Sequence, residues 1–169
     1  MSNEYFDIID RAGNIIGKAA RKECHGDKSL AHRTVHVLVF NSSGELFLQK
    51  RSMNKDIQPG KWDTSVGGHL DLGETFQQAV RREMKEELDI DVPVEYIYDY
   101  WMRNEVETEY VHTYICSYDG AISFDTYEID DGRFWSREEI EKNIGTGAFT
   151  PNFEQEYQKY LQFLISNPP

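Results

Sequence analysis

The stretch GGHLDLGETFQQAVRREMKEELDI, residues 67–90, constrains this chain more than any other, because it gathers Glu83, Glu86 and Glu87 into one helical segment behind a glycine-rich turn. Thr75 with Gln78 three residues on has the form of a capping box, which predicts a helix running from there to about Leu88. With Val80 as origin and about 100° per residue, Phe76 falls at about −40°, Met84 at about +40° and Leu88 at about +80°, an apolar stripe. Glu83 falls at about −60° and Glu87 at about −20°, within that stripe, and Glu86 lies beside them at about −120°. Gln78, Arg81, Arg82 and Lys85 take the opposite arc as the solvated face. Acid-rich helices usually turn their carboxylates to water. Two carboxylates on the core side repel each other and lose solvation, so protons or cations must neutralise them. Hard oxygen ligands at i, i+3 and i+4 suit Mg²⁺ or Mn²⁺, ions that share their coordination shell with substrate phosphates.

The surroundings of the helix fit that chemistry. Gly67 and Gly68 let the backbone approach a ligand closely or take positive φ, and Glu74, just before the cap, belongs to the turn, from which it can orient a ligand. A formal charge of −12 repels polyanions, so no nucleic-acid or membrane partner is expected, and a tightly held phosphate must meet local cations. Arg51, Lys55 and Lys61 stand on the approach to the glycine pair and are read as phosphate contacts. The two cysteines, Cys24 and Cys116, lack CxxC spacing and read as free thiols of a reducing compartment. The N-terminus shows no basic region followed by an apolar run, and no stretch is long enough to span a bilayer, so a cytoplasmic location is expected.

One α+β domain over residues 1–169 is the economical organisation, with N-terminal strands and a loop over 1–33 and the core with its closing helix over 34–166. Residues 5–10 and 14–20 read as two short strands, 33–41 and 45–52 as a hairpin around Ser42-Ser43-Gly44, and 94–103 and 109–118 as two more strands. Residues 132–136 read as a short strand, 137–143 as a brief helix and 152–166 as a closing helix. Trp62, Tyr100, Trp101 and Phe149 are candidates for stacking on a substrate, although aromatics at such positions are more often core. His36 and His112, each mid-strand, read as structural histidines.

These residues resemble the signature of the Nudix hydrolases: Gly68, Glu74, Arg82, Glu83, Met84, Glu86, Glu87 and Ile90 fill its places in order, with Asp89 where the family usually has glycine. That site ends the helix, often in left-handed geometry, which Asp tolerates better than most residues. The resemblance implies a mixed sheet sandwiched between helices and divalent-metal hydrolysis of a diphosphate joined to another group. It implies catalytic roles for Glu74, Arg82, Glu83, Glu86 and Glu87, the last three as ligands of Mg²⁺ or Mn²⁺, with Arg82 orienting a helix glutamate. The general base is left open among Glu87, Glu105 and Glu128.

Over residues 5–152 the chain is also similar to type I isopentenyl-diphosphate isomerase, a relative of the same fold. That similarity implies a second metal site, for Mn²⁺ or Zn²⁺, formed by His25, His32, His69, Glu107 and Glu109, and diphosphate contacts at Arg21, Arg51 and Lys55. Glu107 and Glu109 are two apart in an expected strand and so share a face. Two departures weigh against isomerisation. Gly67 stands where the isomerases carry a catalytic cysteine, and Asn152 where they carry a shielding tryptophan. The reading is a hydrolase of the isomerase-like branch acting on a nucleoside diphosphate derivative or another organic diphosphate. Its rivals are a prenyl-diphosphate isomerase and a non-catalytic sensor of diphosphate metabolites. Oligomeric state is not legible.

Overall fold

In the computed structural model, which describes residues 4–169, the expected N-terminal strands form β1 (Tyr5–Ile9) and β2 (Ile15–Ala20), an antiparallel pair standing as its own two-stranded sheet. Asp10 shapes their turn by accepting from the N–H groups of Ala12 and Asn14, both at 2.9 Å. A single helical turn, α1 (Arg21–Cys24), then interrupts what the sequence reads as loop.

The hairpin expected next closes only at its turn. β3 (His32–Phe40) and β4 (Leu46–Arg51) share one ladder pair, Phe40 with Leu46, and then splay apart. β3 pairs along its whole length in parallel with β8 (Thr108–Ser117), and antiparallel with β6 (Val66–His69). β4 turns to β5 (Trp62–Asp63) and β9 (Ile129–Trp135). The composition of β3 explains its choice: Val35, Val37, Leu38 and Val39 are all buried, the continuous apolar run of a central strand covered on both faces. β7 (Glu95–Arg103) pairs with β8 and closes one end of the seven-stranded mixed sheet. β5 and β6 escaped the sequence reading because they are short and carry a polar or glycine-rich pattern.

The helix that the acid stretch predicts is α2 (Phe76–Leu88). Its capping box is present: Thr75 Oγ1 accepts from Gln78 N at 3.2 Å, and Gln78 Oε1 accepts from Thr75 N at 2.9 Å. Asp89 ends it in left-handed geometry, φ 54° and ψ 44°. Ala79, Val80, Met84 and Leu88 are buried against one face of the sheet, with Val35, Val37 and Val66 across from them. At about 1.5–3 kcal/mol for each large buried side chain, this stripe is what holds α2 in register. On the other face, α3 (Arg137–Asn143) and α4 (Pro151–Ser166) bring Ile140, Phe153 and Tyr157 onto Leu38, Leu46 and Leu48. The architecture is α+β, a mixed sheet between helical layers. No helix among the described residues is long and apolar enough to cross a membrane.

Candidate active site

Glu83 and Glu87 face inward from α2, as the helical wheel predicts, and Glu86 stays more than half exposed at the edge. Burial raises the pKa of Glu83, although Arg82 opposes the shift. Burial and then the Glu83 charge drive Glu87 well above the usual carboxylate range. Glu87 Oε1 accepts from Gln49 Nε2 of β4 at 2.8 Å, while its Oε2 is shut off from solvent without a hydrogen-bond partner. Two acids with raised pKa values and an orphaned oxygen are a donor set that a divalent cation fits.

Arg82 departs from the solvated arc. Its guanidinium folds back to give Glu74 a bidentate pair, both bonds 2.8 Å, and also reaches Glu83 at 2.8 Å, Glu86 at 3.2 Å and the His69 carbonyl at 3.0 Å. The hydrogen bonds from Arg82 hold Glu74 below its ordinary pKa. A wheel plots Cβ directions, and the long arginine stem carries its charge away from that direction. Gly68 gives this carboxylate its room: a Cβ there would lie 2.1 Å from Glu83 Cδ, and the carboxylate would have to move.

Gly68, Arg82, Glu83, Glu86 and Glu87, but not Glu74, line a cavity of about 970 Å³ that takes residues from both splayed arms, Thr34 and His36 of β3 and Gln49 and Arg51 of β4. Arg21, Arg51 and Lys55 line it, each beside an acid: Arg21 is 3.0 Å from Glu4, Arg51 is 3.6 Å from Asp63, and Lys55 pairs with Glu128. Lys61 does not line it. Backbone pairing in this turn has Arg51 N donating to the Lys61 carbonyl at 2.8 Å. Trp62, Tyr100, Trp101 and Phe149 do not line the cavity either. Phe149 and Trp62 pack in the α3–α4 core, Tyr100 is buried with Met102 and Val111, and Trp101 lies against Tyr110. Glu105 and Glu128 both reach the cavity wall.

The second cluster also assembles. His25 Nε2, His32 Nε2 and His69 Nε2 lie 3.0, 3.1 and 3.5 Å from a single atom, Glu107 Oε2. Only His32 makes a well-angled hydrogen bond; the other two nitrogens are buried and without partners. His32, His69, Glu107 and Glu109 place one donor atom each within 4.8 Å of one another. Burial opposes ionisation of Glu107, but the three imidazoles outweigh it and hold this carboxylate far below its ordinary range, whereas burial raises Glu109. Orphaned imidazole nitrogens around two carboxylates fit a cation such as Mn²⁺ or Zn²⁺.

The NUDIX domain family matches residues 30–153. The chain belongs to the Nudix family. An uncharacterized Nudix hydrolase of Clostridium acetobutylicum is 36% identical over 99% of this chain and 89% of its own length. The similarity to the isomerases is also present, since an isopentenyl-diphosphate delta-isomerase of Photorhabdus laumondii is 32% identical over 76% of this chain and 75% of its own. Among solved structures, a Deinococcus radiodurans protein superposes with a TM-score of 0.79 over 92% of this chain and 98% of its own, at 24% identity, and so shares the fold. This Nudix protein therefore belongs with the Nudix hydrolase family.

Three residues of this Nudix site escaped the sequence reading. Gln49 anchors Glu87. Asn104 Oδ1 accepts from the N–H groups of Val106 and Glu107, at 2.8 and 2.9 Å, and so shapes the turn that delivers Glu107. Phe6 of β1 stacks on His32 and His69, with centroids at 5.1 and 4.6 Å. Asn104 between a strand and a turn carried a weak turn signal. Gln49 and Phe6 carried none.

Proposed function

We propose that this Nudix hydrolase cleaves the diphosphate linkage of a nucleoside diphosphate derivative or another organic diphosphate, using Mg²⁺ or Mn²⁺ held by Glu83, Glu86 and Glu87. The observation that carries this reading is the buried pair behind Gly68: Glu87 keeps an unpartnered Oε2 on the floor of a cavity whose wall carries Arg21, Arg51 and Lys55. A divalent cation there would neutralise charge on the diphosphate and acidify the attacking water. Arg82 would keep the helix acids in place through its bonds to Glu74, Glu83 and Glu86. Arg21, Arg51 and Lys55 would exchange their present acid partners for phosphate oxygens, and the backbone at Gly67 and Gly68 allows close approach. The imidazole and carboxylate cluster is proposed to hold a second cation, Mn²⁺ or Zn²⁺.

Isomerisation of a prenyl diphosphate is a second reading, favoured by that cluster. Against it, Gly67 offers no thiol at the cavity. Cys24 and Cys116 are buried in separate apolar clusters, and burial pushes both thiols up to about 11. The deciding experiment incubates the protein and Mg²⁺ with nucleotide, sugar, thiamine and isoprenoid diphosphates and follows the monophosphate or phosphate products and isomer composition. Cleavage that depends on the divalent ion is expected. Isomer interconversion without cleavage would replace the hydrolase reading by the isomerase one, and binding without any product would leave a sensor.

A further inference from the structure

His36 is a strand histidine with an uncommon setting. Its Nδ1 lies 2.8 Å from Glu156 Oε1, and Glu156, from α4, is fully buried. Thr113 Oγ1 donates to the same Glu156 oxygen at 2.8 Å, and the Tyr98 hydroxyl donates to the other. Three donors from β3, β8 and β7 thus fix one carboxylate, and that carboxylate fixes the ring. With Nδ1–H committed to Glu156, Nε2 of the neutral imidazole is left as an acceptor.

That ring also lines the active-site cavity. His36 pairs across the ladder with Gly67, and a Cβ on Gly67 would sit 3.3 Å from His36 Cδ2 and 3.6 Å from Nε2. Gly67 therefore leaves beside Nε2 a space of one small group. A water shifted from that point by a few tenths of an ångström is within hydrogen-bond reach of Nε2, about 2.6–3.2 Å. A base oriented by a third group, with its free nitrogen on the reaction space, is the arrangement that activates a nucleophile by taking its proton.

Resting on the hydrolase reading above, we propose that His36, set in place by Glu156, is a catalytic residue: the general base that deprotonates the attacking water. In this step the water oxygen bonds to phosphorus as its proton passes to His36 Nε2. The bridging P–O bond breaks with its electron pair going to the departing oxygen, which takes a proton from solvent. The imidazolium keeps Nδ1–H on Glu156 until it returns its new proton to water. Glu156 from α4 touches the ring, Glu109 of β8 and Asp63 of β5 act on it through their charge at longer range, and β6 brings Gly67 beside it with His69 further along the same face. Burial disfavours the imidazolium, but those acids, Glu156 foremost, outweigh it and raise the pKa of His36. The base is accordingly freed at a higher pH than an ordinary histidine.

The test is kcat against pH for wild type, His36→Gln, Glu156→Gln and Gly67→Ala, on whichever panel diphosphate wild type hydrolyses, with thermal melts of each. Wild type should gain rate through an acid limb. His36→Gln should lose on the order of 10²-fold in kcat together with that limb. Glu156→Gln, by removing the carboxylate charge, should move the limb to lower pH. Gly67→Ala fills the water space and should lower kcat at least about tenfold with little change in KM. A folded His36→Gln variant that keeps the limb overturns the assignment. If His36→Gln fails to fold, an unmoved limb in Glu156→Gln with wild-type kcat in Gly67→Ala overturns it instead. No hydrolysis by wild type on the panel would refute the hydrolase reading itself, an outcome distinct from a hydrolase indifferent to His36.

Discussion

Replacing Gly68 by Ala tests the metal assignment with one methyl group. The added Cβ would stand 2.1 Å from Glu83 Cδ and 2.2 and 2.5 Å from its two oxygens, where ordinary contact begins at 3.4 Å. The carboxylate must therefore retreat by about 1.3 Å, a movement a free side chain would make at little cost. Glu83 is not free: Arg82 Nη1 grips its Oε1 at 2.8 Å, and Glu87, with its own raised pKa, lies one helical turn on. Mg²⁺ holds its oxygens at about 2.0–2.1 Å in near-octahedral geometry, so a ligand displaced by more than 1 Å is a ligand lost. A misplacement of that size costs roughly 10²-fold in rate. Gly68→Ala should thus lower kcat on the order of 10²-fold and raise the Mg²⁺ concentration for half-maximal activity about tenfold or more, with its melting temperature in chelator close to wild type. The assay is the steady-state rate of diphosphate cleavage across a Mg²⁺ titration, with Gly17→Ala as the control because a Cβ at Gly17 meets nothing within 4 Å. Wild-type kcat and Mg²⁺ dependence in Gly68→Ala would show that Glu83, where it stands, is not a ligand.

Three further outcomes are expected. Because the folded pKa of Glu87 is raised above 4.5, its carboxyl favours folding fully only below that pH, and the benefit is lost as pH rises through the folded value. Glu87→Gln should therefore melt above wild type at pH 8 in chelator, converge with it near pH 4, and lose the Mg²⁺-induced rise that wild type shows; equal melting at pH 8 would refute the buried-charge account. Asp89→Gly relieves a non-glycine left-handed cap at φ 54°, so it should stabilise by about 0.5–1 kcal/mol, or about 2–3 °C, read by thermal melts. The exposed Lys85–Asp89 pair it removes contributes little. Mn²⁺ or Zn²⁺ should raise the melting temperature of a Glu83→Gln/Glu87→Gln variant but not of the same variant carrying Glu107→Gln, and no shift in the first would leave the histidine cluster without an ion.

What the sequence made legible follows the range of the forces involved. The α2 segment was readable because a capping box, an apolar stripe at helical period and a left-handed terminus are all local, spanning at most four residues at a time. The splay of β3 from β4 was not. A turn flanked by two β-rich runs reads as a hairpin, and only tertiary competition, nine pairs with β8 against one with β4, overrides it. The histidine cluster came by resemblance alone, for its members sit at the end of α1, on β3, on β6 and around the β7–β8 turn, with no periodicity to join them. Gln49 and Glu87 are 38 residues apart and His36 and Glu156 are 120 apart, so neither partner announces the other.

The four residues of β6 show how one short strand joins these sites. Successive strand residues face opposite sides, so Gly68 opens toward the α2 carboxylates while Gly67 and His69 turn to the face where His32, Thr34 and His36 of β3 lie. Adjacent glycines therefore answer different demands. Gly68 makes room for a carboxylate that would otherwise collide with a side chain, and Gly67 leaves a space beside an imidazole. A sequence reading that takes the pair as one flexible turn misses this, because the distinction lies in which face each absent side chain would have occupied. It also separates their mutational signatures: alanine at Gly68 should register in the divalent-ion titration, and alanine at Gly67 in kcat at saturating ion.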